Sequence, residues 1–178
     1  MIRHRVAGAL ARVSLTMLAV VYLGAGAALM FAIRMDGRLG VPALVLFLAA
    51  VKFTDIGAYF TGTAIGRHKL IPWLSPGKTW EGLAGGLAAA AGISVLAVWA
   101  FRHVASSHLS LSYVQAAIFG VVVGGIGQFG DLSESLLKRS AQVKDSGALV
   151  PEFGGILDIL DSPLLAAPAA YVLLAVMR

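Results

Sequence analysis

The chain has 178 residues, 58% of them apolar, with a formal charge of +5 and a mean hydropathy of +0.85. That length bounds it to one domain, 1–178, and the hydropathy exceeds that of a soluble domain. Basic residues set between apolar runs meet anionic headgroups more simply than they meet nucleic acid. The absence of cysteine excludes disulfides and thiolate-held zinc, and His4, His68, His103 and His108 lack the spacing of a histidine zinc site.

Five apolar segments, at 13–33, 41–60, 83–101, 113–129 and 156–177, each approach the about 20 residues that a helix needs to cross a bilayer. None shows the alternation of a barrel strand. The expected fold is therefore an all-α integral membrane protein, a bundle of about five transmembrane helices. The first segment, with Arg3, Arg5 and Arg12 ahead of it, also has the outline of a signal peptide. Its apolar run is longer than a typical signal core and further spans follow, so it reads as a membrane helix. With the N-terminus inside, nine Lys and Arg residues fall on the cytoplasmic side and four on the other, Lys52 lying within a span. That places the charged loops 61–81 and 130–155 on one face, where a cytoplasm-facing polar site can form. Gly62 and Gly66, Gly82 and Gly86, and Gly120 and Gly124 have the spacing that lets helix backbones approach, which reads as bundle packing and is compatible with a homodimer.

Within the second span, Lys52, Asp55 and Tyr59 share one helix face, either as an internal ion pair or as part of a site. The loop after it holds Ser75-Pro76-Gly77-Lys78-Thr79. Its end mimics a Walker A loop, but Pro72 stands where the first glycine belongs, and a P-loop is rejected. Lys78 with the hydroxyls of Ser75 and Thr79 can hold a phosphate; alternatively Ser75 or Thr79 caps the following helix.

Residues 128–162 contain six of the nine acidic side chains, between two spans. Asp131, Glu134 and Lys138 fall at i, i+3 and i+7 of a helix, with Glu134 and Lys138 suited to an ion pair. Lys138, Arg139 and Lys144 put three cations within seven residues, a match for a polyphosphate. Asp158 and Asp161 lie one turn apart at the mouth of the last span. Two such carboxylates repel unless a cation sits between them, which points to a divalent metal. Carboxylates for metal, cations for phosphate and an apolar wall for lipid make a layout for phosphoryl or nucleotidyl transfer.

The run S-L-L-K-R-x4-K-D-x-G-x3-P-x-F-G-G-x-x-D-x-x-D, from Ser135 to Asp161, resembles the signature of the phosphatidate cytidylyltransferase (CDP-diacylglycerol synthase) family. Gly130-Asp131-Leu132, Glu134-Ser135, Asp55-x-x-Ala58-Tyr59, Gly62-x3-Gly66 and Ser75-Pro76-x-Lys78-Thr79-x-Glu81-Gly82 extend the resemblance over about 52–162. It implies an inner-membrane enzyme that joins CTP to phosphatidic acid, giving CDP-diacylglycerol and pyrophosphate. Mg²⁺ is the cofactor implied, and a second cation is compatible with it. On that resemblance Asp131 and Asp158 are the principal metal carboxylates, with Asp145 and Asp161 in support. Lys78, Lys138, Arg139 and Lys144 hold phosphates, and Ser75, Thr79 and Ser135 supply hydroxyl contacts. The chain departs from the family pattern at Phe153, where histidine is usual, and at Ile159, where arginine is usual; loss of that arginine removes a phosphate ligand or carboxylate partner beside Asp158, with either lower activity or a cation supplied from elsewhere as the consequence. The family also carries more N-terminal helices. Three other readings stay open: a CTP-using enzyme with another lipid acceptor, a non-catalytic relative, and a transporter lined by Lys52, Asp55, Asp158 and Asp161.

Overall fold

The computed structural model describes residues 8–104, 109–143, 146 and 155–177. Helix α1 (Ala9–Ala19) runs through a π-helical stretch, Val20–Ala25, into α2 (Gly26–Arg34), and the three together form the first span. A short 3₁₀ turn, Gly37–Leu39, leads into α3 (Gly40–Ile65). Strands β1 (Lys69–Ile71) and β2 (Ser75–Thr79) form an antiparallel hairpin, followed by α4 (Trp80–His103), α5 (Tyr113–Ser140) and α6 (Ile156–Val176). Among the described residues, five helical spans are long and apolar enough to cross a membrane: Arg12–Arg34, Gly40–Ile65, Trp80–His103, Tyr113–Ser140 and Ile156–Val176. The all-helical expectation holds for the spans; the hairpin between the second and third is an addition that the apolar pattern does not show.

Small residues set the packing. The buried positions of α4 are Gly82, Gly86, Ala90, Ser94 and Val98, one every four residues, so a single narrow stripe faces its neighbours. A Cβ on Gly82 would lie 2.8 Å from the Ala58 carbonyl oxygen, and one on Gly86 would lie 2.6 Å from that of Thr54, so α3 and α4 touch backbone to backbone. On α5, Gly120 meets the Ala90 backbone in the same manner, and Gly124 faces the Thr54 side chain. The glycine pairs therefore serve close helix packing within the chain, where lipid offers no hydrophobic drive and van der Waals contact must hold the bundle.

The apolar core, built on Phe47, Leu46, Val98, Phe119, Val123, Ala167 and Ala170, fills one part of the bundle. The stripe of buried residues on α5 begins there with Ala116, Phe119 and Val123, then continues into Gln128, Gly130 and Glu134. One helix face thus passes from apolar packing to polar chemistry without a break. Exposed Trp73 and Trp80 sit at the hairpin end and Trp99 near the other end of α4, the amphipathic rings expected near two membrane surfaces.

Candidate active site

Helix α5 extends to Ser140, eleven residues beyond the apolar run that the sequence marks, and so carries Asp131, Glu134, Ser135, Lys138 and Arg139 on regular helix. Its start is fixed by a capping box: Ser112 Oγ accepts from the Gln115 backbone at 3.2 Å, and Gln115 Oε1 accepts from the Ser112 N–H at 2.7 Å. Gly130 decides what the far end meets. A Cβ there would lie 2.9 Å from both the Asp161 carbonyl oxygen and Ser162 Cα, so this glycine brings α5 and α6 into backbone contact beside the carboxylates.

The consequence is an acidic cluster. One oxygen from each of Asp131, Glu134 and Asp161 lies within 4.8 Å of the others. Glu134 and Asp161 are buried, at 2% and 3% exposure, while Asp131 is partly open. Glu134 Oε2 pairs with Lys138 at 3.0 Å, the i,i+4 pair that the spacing predicts. Its other oxygen, Oε1, is buried with no hydrogen-bond partner, an orphan acceptor among anions. A bare buried carboxylate oxygen of this kind is costly, and a cation shared by the three acids would relieve it. The donor set is all oxygen, which suits a hard cation such as Mg²⁺. The residues fit the group.

Asp158, which the sequence pairs with Asp161 across one cation, makes different contacts. Its Oδ1 takes Lys138 Nζ at 2.7 Å, and its Oδ2 accepts from the backbone N–H groups of Ser146 (3.0 Å) and Gly155 (2.7 Å) and from the Ser146 hydroxyl (2.7 Å). Three residues into α6, it satisfies donors at the start of the helix and completes a Glu134–Lys138–Asp158 chain of ion pairs. The acid that the metal reasoning omits is Glu134. Its i,i+4 lysine suggests an ordinary surface pair, and only its burial reveals otherwise. Lys144 and Asp145, and the departure at Phe153, lie outside the described residues.

On the other flank, Lys78 Nζ reaches Asp131 Oδ2 at 2.5 Å and Gln128 Oε1 at 2.9 Å, and Gln128 Nε2 donates to Asp55 Oδ1 at 2.7 Å. Lysine, amide and two carboxylates thereby tie the hairpin, α3 and α5 together. Asp55 finds its partner in Gln128, whereas Lys52 donates to the Ile159 carbonyl oxygen at 2.9 Å; the cation beside Asp158 is Lys138. Thr79 caps α4, its hydroxyl accepting from the Gly82 N–H at 3.0 Å, which realises the capping alternative for that residue. Residues 75–79 are strand, against a P-loop. Glu81 clasps the hairpin base through the N–H groups of Arg67 and His68 and through His68 Nδ1 at 2.6 Å. Ser75 opens β2, Ser135 is half-buried one turn past Asp131, and Arg139 is exposed.

A cavity of about 520 Å³ opens beside Lys78 and Asp131. Ala58, Tyr59, Leu70 and Leu83 give it apolar walls; Asp55, Lys78, Gln128 and Asp131 give it a polar one.

These features define a multi-pass membrane protein with an acidic cluster set between two lysines at one end of its bundle. The chain belongs to the cytidylyltransferase family, whose family model matches residues 1–177. It is 39% identical over 158 residues to the phosphatidate cytidylyltransferase of Bacillus subtilis (strain 168), covering 89% of this chain and 56% of that protein. The Brucella suis phosphatidate cytidylyltransferase is 38% identical over 151 residues (85% and 53%), and that of Haemophilus influenzae 40% over 131 residues (72% and 44%). The chain thus spans about half the length of the relatives it matches.

Proposed function

We propose that the chain transfers CMP from CTP to phosphatidic acid, giving CDP-diacylglycerol and pyrophosphate, at the cytoplasmic face of an inner membrane. The observation that carries this reading is the Asp131–Glu134–Asp161 cluster, with Glu134 and Asp161 buried and Asp131 partly open, between Lys78 and Lys138. The names of the relatives support the substrates. The excess of Lys and Arg on the hairpin side supports the orientation.

Asp131, Glu134 and Asp161 would hold a divalent cation, which would neutralise the charge that builds on the nucleotide phosphates. The chain's own residues do the rest. A lipid phosphate oxygen attacks the α-phosphorus of CTP, the bond to the β-phosphate bridging oxygen breaks, and pyrophosphate leaves with that electron pair. The attacking oxygen is already an anion, so no general base is required. Lys78 and Lys138, each now paired with carboxylates, exchange part of that pairing for phosphate oxygens. The cavity, apolar on Tyr59, Leu70 and Leu83 and polar on Lys78, admits an amphiphile with its phosphate toward the lysine.

The test uses the purified chain in detergent micelles with phosphatidic acid and CTP labelled at the α-phosphate. Label in CDP-diacylglycerol, with one pyrophosphate released per lipid and strict dependence on Mg²⁺, is the expected outcome. Label transferred only when another lipid replaces phosphatidic acid would overturn the choice of acceptor. No transfer to any lipid by folded protein would overturn the activity.

A further inference from the structure

Helix α6 carries Pro163 in its interior, seven residues past its first position. Proline has no N–H, so the carbonyl four residues back, that of Ile159, loses its helical donor, and the ring pushes that carbonyl outward. An unpaired carbonyl within a membrane span is costly, since lipid offers no donor. In this chain Ile159 O is met by Lys52 Nζ at 2.9 Å, reaching across from α3. The charge of Lys52 also acts on Asp55 and Asp161, but its hydrogen bond goes to this carbonyl. The neighbouring packing agrees: a Cβ on Gly127 would touch both Val51 of α3 and Ser162 of α6, so the two helices converge here with α5. Asp161, a member of the acidic cluster, lies between the freed carbonyl and the proline. A second latch holds the same turn, for Tyr22 in the π-helical stretch donates its hydroxyl to the Asp161 carbonyl oxygen at 2.8 Å.

We propose that Lys52 is a positioning residue for the acidic cluster: its ammonium replaces the donor that Pro163 removes, and so fixes the turn of α6 that presents Asp161 to Asp131 and Glu134. It does this through a backbone carbonyl and touches neither substrate nor metal. The inference rests on the metal reading of the cluster, and it makes the proline and the lysine one unit. Either alone is a defect in a membrane helix; together they aim a carboxylate.

The experiment is a double-mutant cycle read by Mn²⁺ binding, followed by electron paramagnetic resonance on the full chain in detergent with the metal alone. Lys52→Met keeps the length of the side chain and removes the donor; it is expected to weaken Mn²⁺ binding by about 10-fold, the scale seen when a metal ligand loses its support. Lys52→Arg restores a donor and recovers most of that loss. Pro163→Ala returns an N–H to Ile159 O, and in that background Lys52→Met is expected to cost less than 2-fold. In the turnover assay Lys52→Met raises the Mg²⁺ needed for half-maximal rate and leaves the KM for CTP within 2-fold. Thermal unfolding of each variant reports its folding, and Lys52→Gln, a shorter donor, serves as the comparison should Lys52→Met not fold. Equal Mn²⁺ affinity in parent and Lys52→Met overturns the inference while leaving the metal reading intact. An undiminished loss in the Pro163→Ala background also overturns it, since the lysine would then act by charge alone. A parent chain that binds no Mn²⁺ overturns the metal reading and this inference with it.

Discussion

At the scale of single residues, the site is a set of anions held together by lysines. Asp131, Glu134 and Asp161 crowd within 4.8 Å, and Lys78 and Lys138 stand on either side. Lys78→Met leaves Asp131 and Gln128 without their shared donor and removes a cation from the cavity wall. We expect the KM for CTP to rise by about 10-fold or more, as when a charge-assisted phosphate contact is lost, with the Mn²⁺ affinity of the cluster changed less. Steady-state kinetics beside metal titration checks both. Asp158→Asn separates two roles. Its carboxylate accepts from Lys138, Ser146 and Gly155, so the variant is expected to lose about 1–3 kcal/mol of stability, seen as a lower unfolding temperature in detergent. Its effect on Mn²⁺ affinity is expected to be smaller than that of Glu134→Gln. The reverse ranking would place Asp158 in the metal set after all. Glu134 was the hardest of these acids to read in the sequence. Four residues from Lys138, it fits an ordinary solvated pair, and nothing local reports that its helix face is buried against α6.

At the scale of elements, one glycine per contact governs geometry. Gly130 is the point where α5 and α6 meet, and Gly130→Ala places a methyl group 2.9 Å from the Asp161 carbonyl oxygen. The helices must part by several tenths of an ångström. The expected result is a fall in turnover of at least about 10-fold, because small displacements of positioned groups are costly in catalysis, while the variant still inserts and folds. Normal turnover would show that the cluster tolerates a wider spacing. The five spans were legible because membrane helices announce themselves by length and hydropathy. The hairpin was not, since its strands of three and five residues contain Pro76 and Gly77 and carry no alternation long enough to register. The extension of α5 to Ser140 was half legible: the i, i+3, i+7 spacing of Asp131, Glu134 and Lys138 implies helix, although the apolar run ends at Phe129. Asp158 and Asp161, one turn apart, read as a pair in the sequence. The structure divides them, giving one to the start of α6 and one to the cluster, and that choice depends on where α5 lies.

At the scale of the whole molecule, the account requires the hairpin, the end of α5 and the start of α6 to share one membrane face. Their mutual contacts, Lys78 with Asp131 and Lys138 with Asp158, put them at one end of the bundle. The absence of cysteine makes orientation directly measurable. In sealed inverted inner-membrane vesicles, Trp73→Cys in the hairpin turn is expected to react with an impermeant maleimide added outside, and Val104→Cys at the end of α4 only after permeabilisation. Labelling in the opposite order would invert the topology and separate the site from cytoplasmic CTP.

The most direct test of the central claim is Mg²⁺-dependent synthesis of CDP-diacylglycerol by the purified chain beside Glu134→Gln, both verified as folded. Glu134→Gln keeps the shape of a buried side chain with an orphan oxygen and removes its charge from the cluster and from the pair with Lys138. The account predicts turnover by the parent and a loss of at least about 100-fold in the variant, the scale of one essential charge at a phosphoryl-transfer site. Equal rates at equal Mg²⁺ would contradict it and leave Glu134 as a partner of Lys138 and nothing more.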